Sequence, residues 1–155
     1  MNRKIWFFLV PVGAILGASF LLNTNPPTNR AQTANDAPRE LQPRVYRASL
    51  NVVRDAAREA ILEQKTFGRD WELIYTGRAD ENAALRRLDV EVPVLFFTDD
   101  LVVTLETVKN GTRVNVASQS RVGKGDFRMN RRHVTQFLAA LDAQMQNRSP
   151  TRSGE

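Results

Sequence analysis

The segment from Leu101 to Ser120, LVVTLETVKNGTRVNVASQS, constrains the fold more than any other, because two runs of alternating apolar and polar residues flank Asn110-Gly111. Asn-Gly between such runs favours a type I′ hairpin, in which both central residues take positive φ. With those two residues as the loop, Lys109 faces Thr112 and Asp100 faces Arg121. Leu101, Val103, Leu105 and Thr107 then share a face with Val114, Val116, Ser118 and Ser120. Val102, Thr104 and Glu106 lie with Gln119, Ala117 and Asn115 on the other. A slip of one residue would set apolar against polar faces, so the pattern specifies an antiparallel sheet with one buried face. The same register predicts an Asp100–Arg121 ion pair on the polar face. It also puts Asp99 on the buried side near Ser118 and Ser120, where a carboxylate must find donors.

Around this hairpin the other elements follow from period and punctuation. Arg44 to Ala48 is a short candidate strand, and Ser49 can cap a helix to about Gln64 with Leu50, Val53, Ala57, Ala60 and Ile61 on one stripe. Phe67-Gly68 ends that helix. Trp71 to Thr76 and Leu85 to Val92 alternate as strands, and Pro93 stops the latter or places it at an edge. A second helix runs from Arg131 to Gln146 with Val134, Phe137, Leu138, Leu141 and Met145 aligned, its start capped by Asn130 or Asp126. Leu95-Phe96-Phe97 reads as core beside strand ends, with a membrane-dipping or partner-binding loop as the alternative. The expected fold class is α+β: two layers, an antiparallel sheet of four to five strands with two helices on one face, spanning 43–147.

The chain ahead of this domain differs in character. Ile5 to Leu22 carries no charge and follows Arg3 and Lys4. As a helix it would reach roughly 27 Å, enough to cross the hydrocarbon core. The expectation is an N-terminal transmembrane helix at 5–22 with its N-terminus cytoplasmic and the domain on the outer, periplasmic or extracytoplasmic side. The alternative is a signal peptide cleaved near Gly17-Ala18-Ser19, releasing the domain to the periplasm. Residues 23–42, with three prolines and many Asn and Thr, read as a disordered linker, and 148–155 as a disordered tail.

Composition narrows the chemistry. The chain has 155 residues, 42% of them hydrophobic and 25% charged, which leaves room for one domain. Zero cysteines exclude a disulfide scaffold, a thiolate metal site, a cysteine nucleophile and a lipoprotein anchor. A formal charge of +5 admits anionic partners but falls short of a nucleic-acid-binding signature, so no nucleic acid partner is expected. One histidine among scattered carboxylates gives no ligand spacing, so neither a metal nor a cofactor is expected.

The stretch VASQSRVGKGDFRMNRRHVTQFLAAL joins the hairpin to the second helix. It resembles the signature RSxSRxGxxDxGxN, followed by an Arg-containing helix, of the domain-of-unknown-function family numbered 1499, found in bacteria and plastids. Ser118, Ser120, Arg121, Gly123, Asp126, Asn130 and an arginine at 131 or 132 match that pattern. Ala117 stands where the family usually has Arg, and Arg128 where it usually has Gly. The resemblance covers roughly Val45 to Leu141 and implies a domain boundary and a motif, but no reaction.

Physically, Gly123 and Gly125 beside a helix N-terminus, with Arg121, Lys124, Arg128, Arg131 and Arg132 against Asp126, could cradle an anion. The candidate ligand-binding residues are Ser118, Ser120, Arg121, Lys124, Asp126, Asn130, Arg131 and Arg132. The competing reading is a tight strand-to-helix turn in which serines and Asp126 saturate backbone groups and the arginines are solvated. A Walker loop is absent. An enzyme would need Ser118 or Ser120 with His133 and Asp126, yet there is no GxSxG elbow, and a lone histidine in a first helical turn reads as a surface residue. The expectation is a non-enzymatic, membrane-anchored, envelope-facing binding module for an anionic ligand, lipid headgroup or protein partner. A structural subunit of a membrane complex and a hydrolase using His133 are the alternatives.

Overall fold

The structure, a computed structural model, describes residues 29–75, 85–122 and 128–148. Alternation builds the long strands: β6 (Leu85–Val94), β7 (Phe97–Val108) and β8 (Gly111–Ser120) form an antiparallel meander. The short β5 (Glu72–Tyr75) pairs β6 on one side. On the other side β8 takes two short partners end to end, β1 (Arg30–Gln32) and β2 (Arg44–Tyr46). Among the described residues the sheet therefore has six strands, one or two more than the sequence predicts. A separate hairpin joins β3 (Lys65–Thr66) to β4 (Arg69–Asp70) through Phe67 and Gly68, which do not simply end a helix.

The extra strand comes from the segment 23–42. Ala31 lies opposite Ser118, Thr33 donates its backbone N–H to Val116 O, and Arg39–Leu41 form a 3-10 turn. Residues 29–42 are thus tied to the domain rather than forming a free linker. Backbone pairing with an open strand edge needs no large apolar side chain, so composition does not reveal it. Residues 149–155, and so nearly all of the expected tail, lie outside the described residues, and the helix Met129–Arg148 takes in the tail's first residue.

Two helices cover one face of the sheet. α1 (Leu50–Leu62), which starts after Ser49 as expected, buries Val53, Ala56, Ala57, Ala60 and Ile61, while α2 (Met129–Arg148) buries Val134, Phe137, Leu138, Leu141 and Met145. They meet Leu88, Val90, Val92, Leu101, Val103, Leu105, Val114 and Val116 in one core. Each fully buried side chain of this size contributes about 1.5–3 kcal/mol, which outweighs what turn chemistry alone could supply.

The α+β class with two helices and an antiparallel sheet stands, but the transmembrane element does not. The segment 5–22 lies outside the described residues, and among those residues no helix is long and apolar enough to cross a membrane. The single-pass topology and outer-face location built on that helix are accordingly withdrawn: an uncharged run of marginal length does not by itself make a span.

The hairpin register also differs. Val108 pairs with Gly111, so Lys109 and Asn110 form the loop and Asp100 faces Gln119, two residues from the expected partner. Neither loop residue has positive φ; Gly111, at +135°, takes up the reversal instead. β2 explains the choice, since a Cβ at Gly111 would lie 2.0 Å from the Tyr46 carbonyl oxygen. A shift of two residues preserves face parity, so the two faces remain as expected except that Thr107, near the turn, is exposed and Val102 is buried.

Beside that contact, the Tyr46 hydroxyl donates to Asp142 Oδ1 at 2.5 Å and Arg44 Nε donates to Oδ2 at 3.1 Å, fastening β2 to α2. Burial, then the hydrogen bond to Asp142, pushes the Tyr46 phenol well above its ordinary range. An unfolded tyrosine releases its proton near pH 10. The folded chain retains it, so this contribution is present below about pH 10 and is lost as pH rises further. Urea unfolding across that window should show stability falling, with a shallower fall for Tyr46→Phe.

Candidate functional site

The motif strand ends at Ser120, and its inward residues are drawn into a buried polar cluster under the first turns of α2. Ser118 Oγ donates to Asn130 Oδ1 at 2.7 Å, and Asn130 Nδ2 donates to Ser120 Oγ at 2.9 Å and to the Asn29 carbonyl at 2.7 Å. Ser120 N–H also donates to Asn29 O at 2.8 Å. Asn130 lies inside the helix, with its side chain directed at the sheet instead of capping the helix start. One amide thus ties together β8, the approach to β1 and α2.

Next to it, Asp99 is buried opposite Ser120, and His133 Nδ1 lies 3.5 Å from Asp99 Oδ2. His133 is fully buried, not on the surface: one helical turn beyond Asn130 it points toward the sheet. Its ring meets Trp71 edge-on at 5.9 Å, and Trp71 Nε1 donates to Thr66 Oγ1 at 2.7 Å. Asp99 and His133 resemble the orienting half of a catalytic triad, but Ser118 donates to Asn130, and among the described residues no hydrogen bond joins either serine to His133. A nucleophile needs that bond, and a base needs access to substrate.

The cationic residues of the motif disperse. Arg121 lies on the opposite sheet face, where Nη2 reaches Asp100 Oδ1 and Glu91 Oε1, each at 2.6 Å, and these carboxylates hold its guanidinium protonated. The Asp100 pair expected from sequence is present, though diagonally across the strands. Arg131 pairs with Glu40 at 2.5 Å, and Arg132 is exposed. Lys124 and Asp126 lie outside the described residues. Of the eight candidates, then, Ser118, Ser120 and Asn130 come together, whereas Arg121, Arg131 and Arg132 face three different ways. Among the described residues no group of His, Asp or Glu is placed to hold a metal ion.

The same end of the domain carries what sequence reasoning set aside. Leu95-Phe96-Phe97 is not core: Phe96 is 93% exposed, and Leu95 and Phe97 are each more than half exposed. Phe67 and Val122 are exposed to the same degree. Arg69 Nη1 donates to Leu95 O at 3.5 Å, bringing the β3–β4 turn against the β6–β7 turn. Continuing the β7–β8 register by two pairs sets Val122 beside Phe97. Among the described residues, three non-glycine residues have positive φ, Phe67 (51°), Leu95 (48°) and Arg128 (65°), and all three lie at this end. Bulky residues pay to adopt that conformation.

At Arg128 an arginine holds the left-handed backbone for which glycine is suited, at the position where the resembled signature has Gly. Arg128→Gly should therefore stabilise the domain by up to about 1 kcal/mol, read by urea unfolding. A loss of stability would show that the arginine side chain supports the fold.

Solved structures of similar outline include TTHA0849 from Thermus thermophilus, at 12% identity and TM-score 0.37, covering 77% of this chain and 99% of that one. CV1439 from Chromobacterium violaceum matches at 10% identity and TM-score 0.39, covering 74% and 96%. The Zhui aromatase/cyclase from Streptomyces sp. R1128 matches at 8% identity and TM-score 0.38, covering 81% and 98%. Likenesses this distant carry no argument about activity. No curated protein matches the chain. The model of one family, described as Protein of unknown function (DUF1499), matches residues 20–141, more than half of the chain. With the Ser118, Ser120, Arg121 and Asn130 signature in place, the chain belongs to that family.

Proposed function

We propose that the protein is a non-catalytic docking module that engages a partner with the motif-bearing end of its sheet. The observation that carries this reading is the coincidence, at one end, of Phe96 held almost wholly in solvent and three bulky residues in left-handed backbone. A turn free to relax would take glycine at these positions and withdraw its aromatics, whereas strain and exposure retained together are characteristic of functional surfaces. In this reading the Ser118–Asn130–Ser120 network is architecture: it seats α2 on the sheet and fixes the frame from which the turns project. Arg121 and Arg131, each engaged by carboxylates, serve the same end.

The absence of cysteine permits a direct test, because each introduced thiol is the only one in the chain. Alkylation rates at Phe96→Cys, Phe67→Cys and, as a remote exposed control, Val45→Cys would be compared in buffer and in an extract of the source cells. Docking predicts that the first two react at least about ten-fold more slowly in extract while the control is unchanged. Equal rates at all three positions would refute it.

A further inference from the structure

We infer that the partner of this surface is a bilayer carrying anionic headgroups; the inference rests on the docking reading above and names its ligand. The apolar groups are presented as points, not as a plane. Phe67 tops one hairpin and Leu95, Phe96 and Phe97 top another, with Val122 alongside. A protein interface of ordinary size needs a broad complementary surface, whereas side chains on adjacent turns can enter the boundary between headgroups and acyl chains with no preformed complement.

Charge supplies the second argument. Arg69 and Arg132 are exposed at this end. Arg132 stands one turn before Gln136, whose Nε2 donates to the Lys65 carbonyl, so it is on the side of α2 next to the β3–β4 hairpin. Of the carboxylates nearby, Asp70 is engaged by Lys65 at 2.9 Å, and Asp100 and Glu91 by Arg121, while Glu72, opposite Glu91, is exposed. Among the described residues Lys65, Arg69, Arg121, Arg128 and Arg132 then stand around the aromatic tips against Asp70, Glu72, Glu91 and Asp100, a surplus of one cation that suits an anionic lipid surface. Arg69 also braces the two turns through Leu95 O, so the tips would enter as one unit.

The test uses the full chain with a nitroxide attached at Phe96→Cys, Phe67→Cys or Val45→Cys, on vesicles of phosphatidylcholine with phosphatidylglycerol at seven to three, and on phosphatidylcholine alone. The depth of each label is read from its accessibility to oxygen and to a water-soluble nickel complex. On the anionic vesicles the labels at 96 and 67 should become oxygen-accessible and nickel-protected while the label at 45 stays aqueous. In the double variant Arg69→Gln, Arg132→Gln, or in half-molar salt, the inserted fraction should fall about ten-fold. Because depth is read at each position, vesicle association through any other segment would not mimic this pattern. Tips that stay aqueous on anionic vesicles overturn the inference, and so does equal insertion into phosphatidylcholine alone. If the tips stay aqueous but thiol protection in extract persists, docking stands and its partner is a protein.

Discussion

Replacing Gly111 with alanine should cost the domain on the order of 3 kcal/mol or more, a large fraction of an ordinary domain's stability. Two effects combine at this position. Its φ of +135° disfavours any side chain, and a Cβ there would lie 2.0 Å from Tyr46 O, a backbone atom of β2 that cannot swing aside. Relief would require β2 to leave β8, which would also strain the hydrogen bond from Tyr46 to Asp142. Gly68→Ala is the matched control: φ is +77°, but no heavy atom lies within 4 Å of the added Cβ, so it should cost only about 1–2 kcal/mol. Urea unfolding of the two variants separates the clash from the conformational strain. A Gly111→Ala penalty no larger than the Gly68→Ala penalty would contradict the packing of β2 on the turn.

Asn130→Ala should be nearly as damaging, at roughly 3 kcal/mol. It removes three hydrogen bonds at once and leaves Ser118 Oγ and Ser120 Oγ to find new partners in a buried site, while the Asn29 carbonyl keeps the Ser120 N–H alone of its two donors. Asn130→Asp should fail to rescue, because a carboxylate offers no donor to Ser120 or Asn29. By contrast, Arg132→Gln, close by on an exposed face of the same helix, should lie within about 0.5 kcal/mol of the parent. This contrast separates architecture from a ligand site within a single motif. If Asn130 were kept for a ligand instead of the fold, its removal would leave the melting temperature unchanged.

The parts of the fold legible in the sequence are those set by long periodic patterns. Twelve residues of β7 and ten of β8 alternate cleanly enough to assign faces, and the stripe on α2 is buried residue for residue. What escaped depends on atoms remote in sequence. The two-residue register shift comes from Tyr46 O pressing on Gly111, a contact that no local turn rule contains. β1 arises from backbone pairing in a segment whose side chains carry no strand signal. At the end of β6, parity overrides residue type: Arg86 is buried and Leu85 exposed because the interior Leu88, Val90 and Val92 fix the alternation.

At the candidate site the motif was visible but its meaning was not. Serine, asparagine and arginine in one run suggest anion binding equally with internal bonding, and only the placement of Asn130 between Ser118 and Ser120 separates the two. Position in the first helical turn alone suggests an exposed His133; the signal that places it inside is its spacing of four from Phe137 on the buried stripe. Hydrophobicity alone assigns Leu95-Phe96-Phe97 to the core, and geometry does not. Val94 pairing Phe97 makes Leu95 and Phe96 a two-residue loop, and such a loop has no interior to enter.

The claim that these turn residues are kept for docking and not for folding is tested most directly by the unfolding free energy of the double variant Leu95→Gly, Phe96→Asp. Glycine accepts the positive φ at 95, where the leucine is more than half exposed, and Asp at 96 replaces a ring that is 93% exposed, so little packed apolar surface is lost. The account predicts stability equal to the parent or higher by up to about 1 kcal/mol. A loss of about 2 kcal/mol or more, the size expected when a buried Leu or Phe is removed, would contradict it and return these residues to the core.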